Sequence, residues 1–220
     1  MFRGKRAFAF PLVAALVAAL VTALVTGGFA APAGAEYRLS AQDRTDIARI
    51  EQYLNRMESL RSKFVQLSTG GHFAEGVVYI ERPTRLRLQY NKPANIQVYA
   101  NGNWLAHVDT ELEAVWHVPI STTPASFLVR KNIKLSGDVT VRRVIRQAHT
   151  ISVELLQTKE PESGRFVLTF SDVPLTLRKW SITDTQGIST TVTLVGPSFN
   201  VAIPRDVFVF DETQFEKESQ

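Results

Sequence analysis

The stretch Gly76–Pro93, GVVYIERPTRLRLQYNKP, decides the fold. In its second half, apolar Leu86, Leu88 and Tyr90 alternate with polar residues, which predicts a strand with one apolar and one solvated face. Its first half is rich in β-branched and aromatic residues and predicts a second strand. The two runs together indicate two strands separated at Pro83.

Arg82 interrupts the apolar face of the first run, where the alternation calls for another apolar side chain. Pro83 follows at once and cannot donate to a strand ladder, so it marks the strand end. We interpret Arg82 as a single guanidinium at the edge of an apolar concavity. The alternative is an ordinary strand-end arginine in a surface ion pair with Glu81 or Glu75.

Residues 1–35 have the form of a cleavable export signal. A short basic start is followed by an apolar run over residues 12–25, and Ala33-Gly34-Ala35 supplies the small residues preferred before a cleavage site. An uncleaved membrane anchor is the alternative, because the apolar run is long enough. We expect cleavage, with residues 36–220 forming a single domain in the bacterial periplasm.

The charge of the chain is concentrated in this leader. Of the 25 Lys and Arg residues three lie in residues 1–35, which contain no acid, so the mature chain has 22 basic and 21 acidic residues. This balance, without clustering, gives no indication of nucleic-acid binding. The chain has no cysteine, which excludes disulfides and an N-terminal lipidated cysteine. We therefore expect the mature protein to be soluble and not anchored by lipid, and separately we expect it to be a monomer.

One helix and a long series of strands follow the leader. An apolar stripe at three- and four-residue steps predicts a helix over Ser40–Ser62, with a capping box at its start. The segment Ser121–Lys134 predicts one or two short helices, with Thr123 as a possible N-cap. Period-two alternation predicts the strands Lys63–Ser68, Val77–Arg82, Arg85–Tyr90, Ile96–Ala100, Trp104–Val108, Ala114–Val118, Val139–Arg146, Thr150–Leu156, Arg165–Phe170, Leu175–Ile182, Ser189–Val195 and Val207–Phe210.

These elements predict a mainly β (α+β) fold. With no helical crossovers between the strands, the sheet is antiparallel, and its apolar face requires a cover. Either the sheet closes into a barrel with a filled interior, or it curves into an incomplete half-barrel of about eleven strands, closed by a lid of about three α-helices. The second arrangement leaves an apolar cavity of the kind that binds ligands.

The order of several short motifs resembles the periplasmic outer-membrane lipoprotein carrier family, LolA. The resemblance covers essentially the whole mature chain. Its residues are Leu60, Phe64, Gln66, Gly76, Arg82, Pro83, Leu86, Tyr90, Pro93, Asn101, Gly102, Asp109, Leu112, Thr123, Pro124, Ala125, Leu128, Phe199, Pro204, Val207 and Asp211.

The resemblance implies a half-barrel with a helical lid that carries lipoproteins from the inner to the outer membrane. It implies as partners the cargo acyl chains, an inner-membrane ABC transporter (LolCDE-like), and an outer-membrane acceptor (LolB-like) or the membrane itself. It also implies that Arg82, with Pro83, holds the lid closed in the empty carrier. The chain departs from the family at Leu86, Leu88, Ala106 and Val108, where aromatic residues are usual, so the shape of its pocket differs.

Other apolar residues are candidates for the wall of the cavity, although plain core packing is an equally good interpretation of each. They are Leu54, Met57, Phe64, Val78, Ile80, Leu86, Leu88, Tyr90, Trp104, Phe127, Leu128 and Phe170.

The sequence gives little indication of catalysis. Its four histidines are scattered, and the spacing His107-x-Asp109-x-Glu111 is more typical of a solvated strand end than of a metal site. Ser121 and Ser163 lie in predicted turns without a credible His/Asp partner, and no Gly-rich phosphate loop is present. We expect neither cofactor nor metal. The rival functions are a module on the same fold that senses a hydrophobic or lipidated signal without transporting it, and a lipid hydrolase.

Overall fold

The computed structural model describes residues 37–123 and 125–211, so the predicted leader lies outside the described residues. Within these ranges the chain forms one helix, six strands, a helical connection and five more strands. The strands are β1 (Ser59–Ser68), β2 (Phe73–Glu81), β3 (Arg85–Tyr90), β4 (Ile96–Asn101), β5 (Trp104–Asp109), β6 (Ala114–Pro119), β7 (Val139–Gln147), β8 (Thr150–Gln157), β9 (Arg165–Ser171), β10 (Thr176–Thr183) and β11 (Ser189–Phe199).

All eleven strands belong to one antiparallel sheet. Its order is β6-β5-β4-β3-β2-β1-β11-β10-β9-β8-β7, so β6 and β7 are its end strands and do not pair with each other. The sheet is therefore an open half-barrel rather than a closed barrel, as predicted. The β1–β11 pairing joins the two halves, which are each built from consecutive hairpins.

The first helix, α1 (Ala41–Arg56), begins at a capping box in which the Ser40 hydroxyl accepts the Asp43 backbone N–H and the Asp43 carboxylate accepts that of Ser40. The prediction that this helix extends to Ser62 is wrong. Met57 is already extended, and Leu60 pairs with Ile80 on one side and Phe199 on the other. The three-residue step from Met57 to Leu60 is compatible with a helix and also with the start of a strand. Leu60 is in a strand because strands are available to pair with it on both sides.

The inner face of the half-barrel is apolar and continuous across strands. Directly paired residues share a face, and one such row runs through Leu60, Ile80, Leu86, Ala100 and Leu105 on β1 to β5. On the other half, the paired residues Val153, Leu168, Trp180 and Val192 are all buried.

Helix α1 covers part of this inner face. Ile50 and Leu54 on α1 are fully buried in the same core. Tyr53 packs edge-on against Phe170, with ring centroids 5.7 Å apart, and its hydroxyl accepts the backbone N–H of Leu177 at 3.0 Å.

The chain between β6 and β7 runs from one end strand to the other and supplies the rest of the cover. This crossing segment, residues 120–138, contains a 3-10 turn (Ile120–Thr122) and the helix α2 (Ala125–Leu128). Phe127, Leu128 and Ile133 are buried in the core. The described residues thus hold two α-helices and not the three expected; the cover is completed by irregular chain.

The predicted strand Val207–Phe210 is also wrong. Pro204 precedes a 3-10 helix, Arg205–Phe208, which buries Phe208. This segment lies on the outer face of the sheet, where Arg87 donates to the Val207 carbonyl at 3.0 Å. Its alternating apolar residues pack against a face of the sheet and do not extend its edge.

Candidate functional site

The turn between β2 and β3 meets the end of α1 through Arg82. The Arg82 guanidinium donates to the backbone carbonyls of Leu54 and Met57, which belong to the last turn of the helix, where carbonyls lack intrahelical partners. The alternative, a surface ion pair, does not describe this side chain. Glu81 pairs instead with Arg85 at 2.6 Å.

Arg82 occupies a costly position for a charged side chain. Burial lowers the pKa of its guanidinium to about 10, against the opposing effect of Glu58, so the group stays charged at neutral pH. Its Nε is buried and has no hydrogen-bond partner among the described residues. A charged group that is incompletely satisfied costs free energy, and the contact with α1 offsets that cost.

The same turn also holds the crossing segment. The backbone N–H of Thr84 donates to the Val129 carbonyl, just after α2, at 2.9 Å. The crossing segment is tied in turn to α1. The Asn55 side chain both donates to and accepts from the Ile133 backbone at 2.8 Å, and Glu51 accepts the Leu135 N–H at 2.6 Å. The two cover segments are therefore joined to each other and to one turn by a small set of polar contacts.

The start of α1 is held by a separate ion-pair cluster. Arg146, on the inner face of β7, contacts Asp43 at 2.8 Å and Asp46 at 2.5 Å. Arg49 reaches Asp172 at 2.6 Å. Burial alone would raise the pKa of the Asp43 carboxyl, but hydrogen bonds from Ser40, Arg146 and Tyr37 lower it to about 2. The helix is thus fixed to the sheet at both ends by different chemistry.

An open cavity of about 1190 Å³ lies beside the crossing segment. Leu155, Phe166 and Ile182, which are paired across β8, β9 and β10, form an apolar wall. Phe127 of α2 faces this wall, and its ring centroid is 5.5 Å from that of Phe166. Polar and charged residues, including Arg130, surround the apolar part.

The predicted cavity residues divide between the open cavity and the packed core. Phe127 lines the open cavity, as does Pro83, which was predicted to hold the lid with Arg82. A larger set is buried in the core between the sheet and its cover: Leu54, Met57, Phe64, Val78, Ile80, Leu86, Leu128 and Phe170. Leu88 and Tyr90 are partly buried at the margin of that core, and the Tyr90 hydroxyl donates to Gln66 at 2.8 Å.

The placement of Trp104 needs correction. Trp104 pairs with Asn101, on the opposite face from Ala100 and Leu105, and its side chain is 55% exposed. Ala106 and Val108 share its outer face. The two-residue turn between β4 and β5 sets this register, which alternation within one strand cannot reveal.

Several site residues were not identifiable from the sequence. Asn55 and Glu51 have the pattern of ordinary polar residues of a helix, and only their long-range contacts give them a role. Leu155, Phe166 and Ile182 lie in predicted strands, but nothing in the pattern separates a cavity wall from a core.

The polar residues that were considered as metal ligands make local packing contacts and hydrogen bonds instead. His107 packs against Trp116, with ring centroids 5.7 Å apart, and Asp109 accepts the backbone N–H groups of Glu111 and Leu112 at 2.9 Å. Within residues 37–123 and 125–211, no three His, Asp or Glu side chains are grouped so as to hold a metal ion. No helix within these same ranges is both long and apolar enough to cross a membrane.

An open antiparallel half-barrel, with an apolar inner face under a helical cover, defines the structural class. The family model described as "Outer membrane lipoprotein carrier protein LolA" matches residues 55–211. The chain belongs to the LolA family.

Individual relatives are distant. An outer-membrane lipoprotein carrier protein of Pseudomonas entomophila is 28% identical over 190 residues, which cover 77% of this chain and 85% of that protein. The uncharacterized protein RP864 of Rickettsia prowazekii is 21% identical over 150 residues, covering 68% and 70%. The crystal structure of the LolA superfamily protein NE2245 from Nitrosomonas europaea matches with a TM-score of 0.45 and 9% identity, covering 74% of this chain and 97% of that one.

Proposed function

We propose that this protein is a periplasmic carrier that shelters the acyl chains of lipoproteins between its sheet and its cover. The observation that carries the proposal is the attachment of both cover segments to one turn through Arg82 and Thr84. Membership of the family described as a lipoprotein carrier supports it.

The physical need for such a carrier is large. A buried methylene contributes about 0.8 kcal/mol, so an acyl chain of about 15 methylenes costs on the order of 10 kcal/mol to expose to water. A lipoprotein with two or three chains cannot leave a membrane on its own at a useful rate. An apolar face of eleven strands can supply the missing shelter.

The cover is attached in a way that suits opening. Its apolar residues, among them Leu54 and Leu128, pack on the inner face, while the polar contacts that fix it are few. Lifting the end of α1 together with the crossing segment breaks the contacts of Arg82 and Thr84 with these two segments and exposes the core to an acyl chain. The apolar wall at Phe166 is already accessible beside the cover, so it is the natural first contact for a tail.

The carrier needs partners at both ends of its path. Because the sequence has no phosphate-binding loop, we assign the energy for loading to an inner-membrane ABC transporter (LolCDE-like), and release to an outer-membrane acceptor (LolB-like) or the membrane. We assign no catalytic activity and no cofactor to the protein. The rival function, a module that senses a hydrophobic or lipidated signal, would bind such a ligand without moving it.

The discriminating experiment is extraction. Protein purified from the exported fraction is incubated with inner-membrane vesicles that contain a radiolabelled lipoprotein and the energised transporter. We expect the lipoprotein to appear in the soluble fraction in a one-to-one complex with the carrier, and then to move to outer-membrane vesicles that contain the acceptor. Binding at the vesicle without soluble complex would favour the sensing module, and turnover of a model ester would favour a hydrolase.

A further inference from the structure

The outer face of six adjacent strands, β7 to β11 and β1, is strongly basic. These strands contain a single acidic residue, Glu154, which is 2% exposed and held by Arg142 and Arg143 at 3.6 and 2.7 Å. Strand pairing and the Glu154 contacts place six cations on this face. They are Arg61, Lys63, Arg142, Arg143, Arg165 and Lys179.

This charge is segregated from the rest of the chain. The mature sequence is nearly balanced, yet this one face has an excess of five positive charges over Glu154. Among the described residues, Arg61, Lys63, Arg165 and Lys179 have no ion-pair partner. The neighbouring outward residues are mostly serine and threonine, which add no negative charge. Five strand spacings separate β7 from β1, or about 24 Å, so the cations are spread over a surface and do not surround a pocket.

An apolar tip adjoins the basic face. Leu67 and Phe73 are paired on the same outer face and are 56% and 63% exposed. The neighbouring β10–β11 turn adds exposed Ile188. The two turns are held together because Thr69 donates its N–H to the Ser189 carbonyl and accepts the Ser189 N–H on its hydroxyl, both at 2.9 Å.

We propose that this basic outer face, together with the apolar tip, is a reversible docking surface for a bilayer that contains anionic phospholipid. Dispersed cations are attracted to an anionic membrane by about 1 kcal/mol each, and exposed apolar side chains insert at the boundary between headgroups and tails. A broad surface of this kind matches a membrane better than an acidic protein, which would need shape complementarity. Apart from Arg165, which also borders the cavity, the surface lies on the face of the sheet opposite the cavity, so the proposal holds whether or not the cavity carries acyl chains.

Vesicle co-sedimentation tests this surface. The exported protein is mixed with phosphatidylcholine vesicles that contain roughly one-third phosphatidylglycerol, or with phosphatidylcholine alone. We expect binding to the anionic vesicles only, weakened at high salt because surface charges are screened. The double substitution Lys63→Gln/Lys179→Gln is expected to weaken binding about 25-fold, since each cation contributes about fivefold. Leu67→Ser/Phe73→Ser is expected to weaken it as well.

The matched control removes the same charge elsewhere. Lys92→Gln/Lys131→Gln alters two exposed lysines that do not lie on these six strands, and we expect binding within twofold of wild type. Thermal unfolding of each variant establishes that it is folded. The proposal is overturned if the folded wild-type protein does not bind anionic vesicles, or if it binds immobilised polyglutamate but not the vesicles. It is also overturned if Lys63→Gln/Lys179→Gln and the control Lys92→Gln/Lys131→Gln weaken binding equally.

Discussion

Arg82→Leu is expected to bind cargo about 30-fold more tightly than wild type and to release it correspondingly slowly. In the proposed opening of the cover, the contacts of Arg82 with the Leu54 and Met57 carbonyls break. A hydrogen bond to a charged group contributes about 1.5–3 kcal/mol, and the substitution removes two of them. It also removes a buried charge, and this regains part of the lost free energy. A net loss of about 2 kcal/mol from the closed state shifts the balance toward the loaded, open state about 30-fold.

Transfer of labelled lipoprotein from carrier to acceptor vesicles measures this effect. Arg85→Leu is the matched control, because Arg85 is an arginine on the same hairpin whose ion pair with Glu81 is partly exposed. Such pairs contribute about 0–1 kcal/mol, so its transfer rate should stay close to that of wild type. An Arg82→Leu protein that delivers cargo at the wild-type rate would show that the contact with α1 does not control closure.

Gly76→Ala is expected to destabilise the fold by at least about 3 kcal/mol, beyond the usual range for overpacking. A Cβ at this position would overlap the Gln89 carbonyl oxygen and lie 2.9 Å from the Tyr90 Cα. These are backbone atoms of the paired strand, so relief requires the strands to separate. Phe64 and Tyr90 flank Gly76 in the ladder and their ring centroids approach to 5.2 Å, which leaves little room for a shift.

Chemical denaturation with a matched glycine variant measures the cost. At Gly70, in the preceding turn, an added methyl group would meet no atom nearer than 3.6 Å. Gly70→Ala should therefore change the free energy of unfolding by less than about 0.5 kcal/mol. Equal stability of the two alanine variants would contradict the strand geometry at Gly76.

Much of the fold could be predicted because alternation within a strand is local information. Eleven of twelve expected strands were found, and their hairpin order follows from short turns. The errors arose where a short apolar pattern fits two structures. Leu60 satisfied both a helical stripe and a strand, and the segment around Phe208 packs on a sheet face that only the assembled fold provides.

The site was less accessible to sequence reasoning. Arg82 could be singled out because a cation on an apolar face needs buried acceptors, and helix ends are a ready source of them. Asn55 could not, because its partner Ile133 is 78 residues away. Trp104 was misplaced because the face on which it lies depends on the register across a turn. Local patterns thus identify which residues are unusual, whereas their contacts require the tertiary structure.

Photo-crosslinking from two adjacent residues of β9 tests the central claim most directly. Phe166 lines the cavity, and Val167, paired with Glu154 and Ser181, points to the outer face. Benzoylphenylalanine is placed at either position, the carrier is loaded with lipoprotein and irradiated, and the product is analysed by mass spectrometry. We predict an adduct to the acyl chain from position 166 and none from position 167. A soluble loaded complex that gives acyl adducts from position 167, or none from position 166, would contradict carriage beneath the cover.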